Sequence, residues 1–316
     1  MKILLSVITI NYNGLDDTCA LLDSIPQTEG MEVIVVDNGS HVDEASVLQQ
    51  RYPWITVVRS SENLGFAGGN NLGIKASHGK YLFFINNDTL IEDREKRKEE
   101  RGKRKEEREE GLFQPLIDRL ESDEHIGVVC PKIRFSWENN PIQYAGYTPL
   151  SSITLRNEPI GLGEDDHGQY DTPHPTPYAH GAAMMVKREV IEKVGLMPEC
   201  YFLYYEELDW SMMIRRAGYD IWYDPACTVF HKESRTTGQN SPLRTYYITR
   251  NRLLLARRNV KTPKRYLTYL YLSTVVASRD IIKYIFTKRF PHIKATLLAI
   301  ADFMRKRFGY KEFKDR

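Results

Sequence analysis

Three short apolar runs, each closed by a polar cluster, pattern the first part of the chain. Ile3 to Ile10 leads into Asn11-Tyr12-Asn13, Val33 to Val36 into Asp37-Asn38-Gly39-Ser40, and Tyr81 to Ile85 into Asn86-Asn87-Asp88. Predominantly apolar runs of this length, bounded by turn formers, predict buried strands of a parallel sheet. An amphipathic stretch, Asp16 to Ser24, separates the first two. A short strand (Ile55 to Arg59) and a helical stretch (Asn70 to Ser77) separate the second and third. This alternation predicts an α/β fold with a mostly parallel central sheet flanked by helices. Ligands of such sheets bind beyond the carboxyl ends of the strands, which would gather Asn11, Asp37 and Asp88 at one pocket.

Further along, Leu112 to Leu120 has helical spacing and Ile126 to Cys130 reads as a strand. Residues 137–178, rich in Pro, Gly and Asp, read as loop, a usual home for acceptor-binding residues. A strand over Gly181 to Val186 is followed by the helical pattern Arg188 to Val194. Trp210, Met213, Ile214 and Ala217 then repeat at i, i+3, i+4, i+7, the buried stripe of a helix that Gly218 ends. Glu206, Glu207 and Asp209 fall at the N-terminus of that helix. There they complement the helix dipole, a gain of about 0.3–1 kcal/mol each, or serve chemistry. A final strand in two pieces, Asp220 to Tyr223 and Thr228 to Phe230, delivers His231 to a strand end.

Composition bounds the class without changing this picture. The 316 residues are 41% hydrophobic and 27% charged, enough to bury a core and unlike disordered or collagenous chains. The four cysteines, Cys19, Cys130, Cys200 and Cys227, form no C-x-x-C pair, so no zinc ribbon or redox dithiol is encoded, and a reducing cytoplasm fits. The run after Lys2 is too short, contains Ser6 and Thr9, and lacks a small-residue cleavage site, so it reads as a strand rather than an export signal.

Charge adds more. Residues 243–316 carry 19 Lys and Arg against 4 Asp and Glu, and since the whole chain is +2, the first 242 residues are strongly acidic. We therefore divide the chain into an acidic α/β domain, 1–242, and a basic amphipathic helical region, 243–316. Residues 94–110 hold only charged residues and one glycine, with Lys-Arg-Lys-Glu-Glu-Arg occurring twice. They are expected to form an exposed insertion without catalytic duty. In the basic region, helical from Tyr246, the arginines Arg250, Arg252, Arg257 and Arg258 read as solvated, with a diphosphate as the alternative partner. The uncharged stretch Tyr266 to Ala277 is too short to span a bilayer. Flanked by Lys and Arg, it fits a helix lying on an anionic membrane surface, the alternative being a helical appendage packed on the first domain. No nucleic-acid motif accompanies the charge, and no nucleic-acid partner is expected.

The motifs Val7-Ile8-Thr9-Ile10-Asn11-Tyr12-Asn13, Val35-Val36-Asp37-Asn38-Gly39-Ser40, Asn63-Leu64-Gly65-Phe66-Ala67-Gly68-Gly69-Asn70-Asn71, Asn86-Asn87-Asp88-Thr89, Gly181-Ala182-Ala183-Met184, Glu206-Glu207-Leu208-Asp209 and His231 together resemble the inverting family 2 glycosyltransferases of GT-A fold, in particular their rhamnosyltransferase-like bacterial branch. The resemblance spans about residues 5–260 apart from the insertion. It implies that Asp37 contacts the nucleotide base and that Asn11 and Asn71, with Asn86 and Asn87, line the donor pocket. By the same resemblance Asp88, last position of a D-x-D motif, binds a divalent cation (Mg2+ or Mn2+) on the donor's diphosphate, and His231 adds a second ligand. Asn86 stands where that motif often has its first acid, which leaves fewer protein charges on the metal. Glu207 is implied as the general base, with Asp209 second and Glu206 third. The donor implied is a dTDP- or UDP-linked sugar, rhamnose first. The implied acceptor is a hydroxyl of a cell-envelope glycan or polyprenyl-diphosphate-linked glycan, met from the cytoplasm at the inner face of the membrane.

Three rivals compete. A dinucleotide-dependent oxidoreductase lacks its G-x-G-x-x-G turn after the first strand, and a sugar-1-phosphate nucleotidylyltransferase lacks its glycine-rich basic loop there. A sugar-nucleotide-binding scaffold without transfer activity is opposed by the retention of Asp88, Glu207 and His231.

Overall fold

The structure, a computed structural model, describes residues 3–91, 111–232 and 241–312. The charged insertion therefore lies outside the described residues. The strands, in chain order, are β1 (Leu5–Asn11), β2 (Met31–Asn38), β3 (Thr56–Ser60), β4 (Tyr81–Ile85), β5 (Thr89–Ile91), β6 (Ile126–Phe135), β7 (Ile142–Tyr144), β8 (His174–Pro175), β9 (Ala183–Lys187) and β10 (Asp220–His231). They form one sheet in the order β3-β2-β1-β4-β9-β6-β10-β5, with β7 beside β6 and β8 beside β10. β3, β2, β1 and β4 are mutually parallel, as are β6 and β10, while β9 runs antiparallel between β4 and β6. The result is a mostly parallel sheet with helices on its faces, the GT-A arrangement.

The helices before the charged insertion are α1 (Leu15–Ser24), α2 (Glu44–Arg51) and α3 (Gly65–Ala76). α2 carries too few apolar residues to announce itself by periodicity; Asp43 caps it, accepting from Ser46 N at 3.2 Å. α3 begins at Gly65, well before the stretch that periodicity marks. Its glycines let it lie against the sheet: a Cβ on Gly73 would stand 2.4 Å from Ile8 Cγ2.

Later come α4 (Gln114–Glu121), α5 (Arg188–Val194) and α6 (Glu206–Arg216), and then the C-terminal helices. These are α7 (Pro242–Asn259), α8 (Lys264–Leu270), a π-helical turn (Tyr271–Val276), α9 (Ala277–Phe286) and α10 (Phe290–Met304). β10 is continuous rather than broken in two; the Asp224-Pro225-Ala226-Cys227 stretch that suggests a break is a register shift against β6.

Two of the four arginines of α7, Arg250 and Arg252, correct the solvated reading. Arg250 is 1% exposed and Arg252 9%, and the helix buries half of its eighteen residues. Arg250 Nη1 donates to Gly309 O at 2.8 Å and Nη2 to Tyr201 O at 2.8 Å, and its guanidinium lies over the Tyr246 and Tyr247 rings. The two aromatic faces and the carbonyls replace the water that this charge gives up.

Candidate active site

A cavity of about 540 Å³ opens at the carboxyl ends of β1, β2 and β4. Its walls include Tyr12, Asn38 and Asn63 on the β1–β2 side, Asn86, Asn87 and Asp88 after β4, and Glu206 and Glu207 from α6. His231 from β10 and Arg244 and Lys311 from the C-terminal region complete it.

Asn86, Asn87, Asp88, Glu206, Glu207 and His231 are thus brought together, while Asn11, Asp37, Asn71 and Asp209 do not line the cavity. Asn11 is fully buried at the end of β1. Its Nδ2 donates to Glu44 Oε2 at 2.7 Å and to Asp37 Oδ1 and Ser40 Oγ at 3.3 Å, and its Oδ1 accepts from Thr18 Oγ1 at 2.7 Å. It ties β1, β2 and α2 together. Asp37 is also fully buried; its Oδ2 has Arg59 Nε at 3.6 Å and no hydrogen-bond partner.

Asn71 departs from the donor-pocket expectation. Its Nδ2 donates to Met197 O and to Glu199 Oε1, and its Oδ1 accepts from Met197 N at 3.0 Å, so it clamps α3 to the segment before α6. Asp209 departs from the base expectation: it is fully buried, Arg258 Nε donates to its Oδ2 and Asn259 Nδ2 to its Oδ1 at 2.7 Å. Two positions along α6 separate Glu207, which lines the cavity, from Asp209, which fastens α6 to α7.

Asp88 Oδ1 lies 3.1 Å from His231 Nε2, and His231 Nδ1 stands 2.8 Å from Gln143 Oε1. An amide oxygen only accepts, so the ring hydrogen sits on Nδ1 and the Nε2 edge turns to the carboxylate. That arrangement fits a cation: two donor atoms converge, and Gln143 fixes the ring as second-layer partners of metal-bound histidines do. Among the described residues no group of three or more His, Cys, Asp or Glu is placed to hold a metal. Two protein ligands would leave the remaining positions to diphosphate oxygens and water, and the mixed oxygen and nitrogen set suits Mn2+ better than Mg2+.

The two glutamates line the same cavity. Glu206 is 3% exposed with Oε2 lacking a hydrogen-bond partner, and burial together with the Glu207 charge raises its pKa well above 4.5. Burial also raises that of Glu207. Two neighbouring carboxyls cannot both ionise cheaply, and of the two Glu206 is the more buried and is raised well above the ordinary value.

The segment entering α6 is strained. Phe202, Tyr204 and Tyr205 have φ of 70°, 68° and 78°, a region that costs non-glycine residues about 1–3 kcal/mol each. Phe66 N donates to Phe202 O at 2.9 Å, an approach that requires Gly65, where a Cβ would stand 2.2 Å from that oxygen.

Sequence reasoning did not single out His180, Tyr12, Asn38, Asn63 or Lys311. His180 Nδ1 accepts from Ala182 N at 3.1 Å, which leaves its hydrogen on Nε2, and burial beside His231 drops its pKa to about 3. It is a neutral hydrogen-bond donor on the cavity wall. The one signal for it was its place just before Gly181. Lys311, near the chain end, reaches the cavity through the fold alone.

Residues 6–98 match the family model described as Glycosyl transferase family 2. Over 314 residues the chain is 26% identical to the low-salt glycan biosynthesis hexosyltransferase Agl10 of Haloferax volcanii, covering 98% of this chain and 93% of that protein. Over 268 residues it is 25% identical to the dTDP-rhamnosyl transferase RfbF of Shigella flexneri, covering 80% and 79%. Among solved structures it is similar to GalNAc-T7 with UDP, GalNAc and Mn2+, at TM-score 0.63 and 15% identity. That match covers 96% of this chain and 56% of that one. It is also similar to the mannosyltransferase PcManGT of Pyrobaculum calidifontis in complex with GDP-Man and Mn2+, at TM-score 0.56 and 15% identity, covering 97% and 88%. At such identities the structural likeness speaks for the fold. With the family match, the named relatives and the GT-A sheet together, the chain is a glycosyltransferase whose residues 6–98 match the family 2 model and that is similar to rhamnosyltransferases.

Proposed function

We propose that the chain transfers a sugar, with rhamnose the first choice, from a dTDP- or UDP-linked donor to a hydroxyl of a glycan or polyprenyl-diphosphate-linked acceptor, with inversion at the anomeric carbon. The observation that carries this reading is the placement of the Asp88–His231 pair and the Glu206–Glu207 pair on walls of one cavity.

Asp88 Oδ1 and His231 Nε2 would hold the divalent cation, which supplies charge stabilisation to the departing diphosphate. Asn86, Asn87 and neutral His180 offer hydrogen bonds on the same wall. Asn38 and Asn63, bonded to each other at 3.2 Å, and Tyr12 frame the nucleoside end. Asp37 is kept as base contact, its Oδ2 without a hydrogen bond and ion-paired with the half-exposed Arg59.

Glu207 takes the proton of the acceptor hydroxyl as the new oxygen–carbon bond forms and the bond from the anomeric carbon to the diphosphate oxygen breaks in line. Protonated Glu206 adds no second negative charge, so the one charge of the pair is kept for the base.

The test is thermal unfolding with UDP, dTDP, GDP and NAD, each with Mn2+ or EDTA, followed by transfer assays with the nucleotide sugar of the base selected. Metal-dependent stabilisation by one nucleoside diphosphate supports the reading. Stabilisation by NAD alone overturns it, and a β-to-α or α-to-β change at the anomeric carbon in the product supports the inverting route.

A further inference from the structure

Ten of the eighteen exposed large hydrophobic side chains among the described residues lie between 266 and 304. Single exposed leucines need no explanation, but a concentration of this kind marks a surface that something covers.

The helices explain how it arises. α10 is apolar on two sides. Ala295, Ala299 and Phe303 are buried on its inner side. Phe290, Leu297 and Met304 recur every seventh residue along its outer side, 62%, 55% and 73% exposed. Ile293 and Ala301 continue that outer side as the floor of a shallow groove. α9 buries Ala277 alone of its ten residues, and its apolar Ile282, Ile285 and Phe286, spaced as one helical face, are 53%, 51% and 83% exposed. α8 adds Tyr266, Leu267 and Leu270, also at one-face spacing and more than half exposed.

Charge names the occupant. Residues 261–311 carry twelve Lys and Arg against two Asp, Asp280 and Asp302, and Asp302 is buried in contact with Tyr246 and Lys311. A second copy would set this net-positive region against another of the same sign, whereas anionic headgroups neutralise it. No helix among the described residues is long and apolar enough to cross a membrane, so the face lies on a surface rather than through it.

We propose that α8, α9 and α10 form a docking face for an anionic lipid bilayer, with Phe286, Phe290, Leu297 and Met304 entering the headgroup boundary. The face is tied to the cavity. Six residues after Met304 the chain reaches Tyr310, which packs on Phe202, and then Lys311, whose backbone N donates to Tyr247 Oη at 2.9 Å; both line the cavity wall. Six residues span at most about 20 Å, so the docked face lies close to the mouth through which an acceptor enters. If the transferase reading of that cavity holds, on which this last consequence rests, the acceptor is one held at the membrane surface by a lipid diphosphate.

Deleting the region would remove Tyr310 and Lys311 from the cavity, so point substitutions in the full chain are the test. The wild type and a triple variant, Phe286→Ser, Phe290→Ser and Leu297→Ser, are sedimented with phosphatidylcholine vesicles and with phosphatidylcholine–phosphatidylglycerol vesicles at low and high salt. Tm and the shift of Tm by nucleotide and Mn2+ are recorded for both. The wild type is expected to pellet with the anionic vesicles only, in a salt-sensitive way, and the triple variant to bind at least about tenfold more weakly with Tm and nucleotide response unchanged. Failure of the wild type to pellet overturns the proposal, as does equal binding by the variant. A salt-resistant dimer that the triple substitution dissociates also overturns it in favour of a second copy. Vesicle binding without any nucleotide response would instead count against the transferase reading and leave the docking face standing.

Discussion

Asn251 donates its side-chain amide to Leu203 O at 2.6 Å, and the same nitrogen reaches Tyr201 O and Tyr204 O at 2.9 and 3.1 Å. One buried amide on α7 thereby holds three carbonyls of the left-handed segment that aims Glu206 and Glu207. The basic C-terminal region is thus part of the apparatus that shapes the cavity.

Removing that amide should release the strain it restrains. Asn251→Ala is expected to cost about 2–3 kcal/mol, since it leaves buried carbonyls unpaired, and to lower kcat more than it raises donor KM. Asn251→Asp keeps the shape but removes the donors and should behave alike; equal loss in kcat and donor affinity would point to general unfolding instead. Gly65→Ala attacks the same segment from α3 and should lower Tm by several degrees.

Glu207→Gln should abolish transfer, by a factor of roughly 10² or more, while metal-dependent nucleotide stabilisation persists. Asp209→Asn should do the opposite: activity falls only as far as stability does, by about 1–3 kcal/mol, because its role is to accept from Arg258 and Asn259. Transfer and chemical denaturation measured on both variants separate the two carboxylates, and near-normal turnover by Glu207→Gln would sink the base assignment.

The pH behaviour follows from the buried pair. A carboxyl whose folded pKa lies above its unfolded value of 4.5 contributes stability below that value and loses it as pH rises through the folded pKa. Glu206→Gln should therefore leave stability unchanged in acid and raise Tm progressively above pH 4.5, read by unfolding across a pH series. The acid limb of kcat/KM, reporting Glu207, should fall above the ordinary carboxylate range. Identical Tm profiles for wild type and Glu206→Gln would contradict the burial argument.

Asp88→Asn and His231→Ala should each reduce the nucleotide-induced Tm shift with Mn2+ to the level seen with EDTA. Gln143→Ala should weaken the apparent Mn2+ affinity by about tenfold or more without removing a ligand, because the imidazole loses the partner that orients it.

Much of this was legible in the chain. Apolar runs ending in Asn, Asp and Gly marked β1, β2 and β4 and the edge where their polar ends meet, because a strand buried on both faces is apolar at most of its positions. The stripe of Trp210, Met213, Ile214 and Ala217 marked α6 and set its acidic first turn. Periodicity did not reveal α2, whose start is set by the Asp43 cap, or the early start of α3 among glycines, because both depend on turn chemistry and close approach rather than on a hydrophobic face.

What local pattern determined, then, is the alternation of elements, the strand ends and the residue types available there. Tertiary structure decided which of them meet. Glu207 faces the cavity and Asp209 faces Arg258 because α7 packs on α6, and Asn71 clamps Met197 because α3 lies against the segment before α6. Arg250 is buried because two tyrosine rings and two carbonyls from distant segments converge on it, and Lys311 reaches the cavity because α10 folds back along α7. Contacts between residues far apart in sequence leave no period in the chain, so the partners of these polar side chains become visible only once the fold has closed around them.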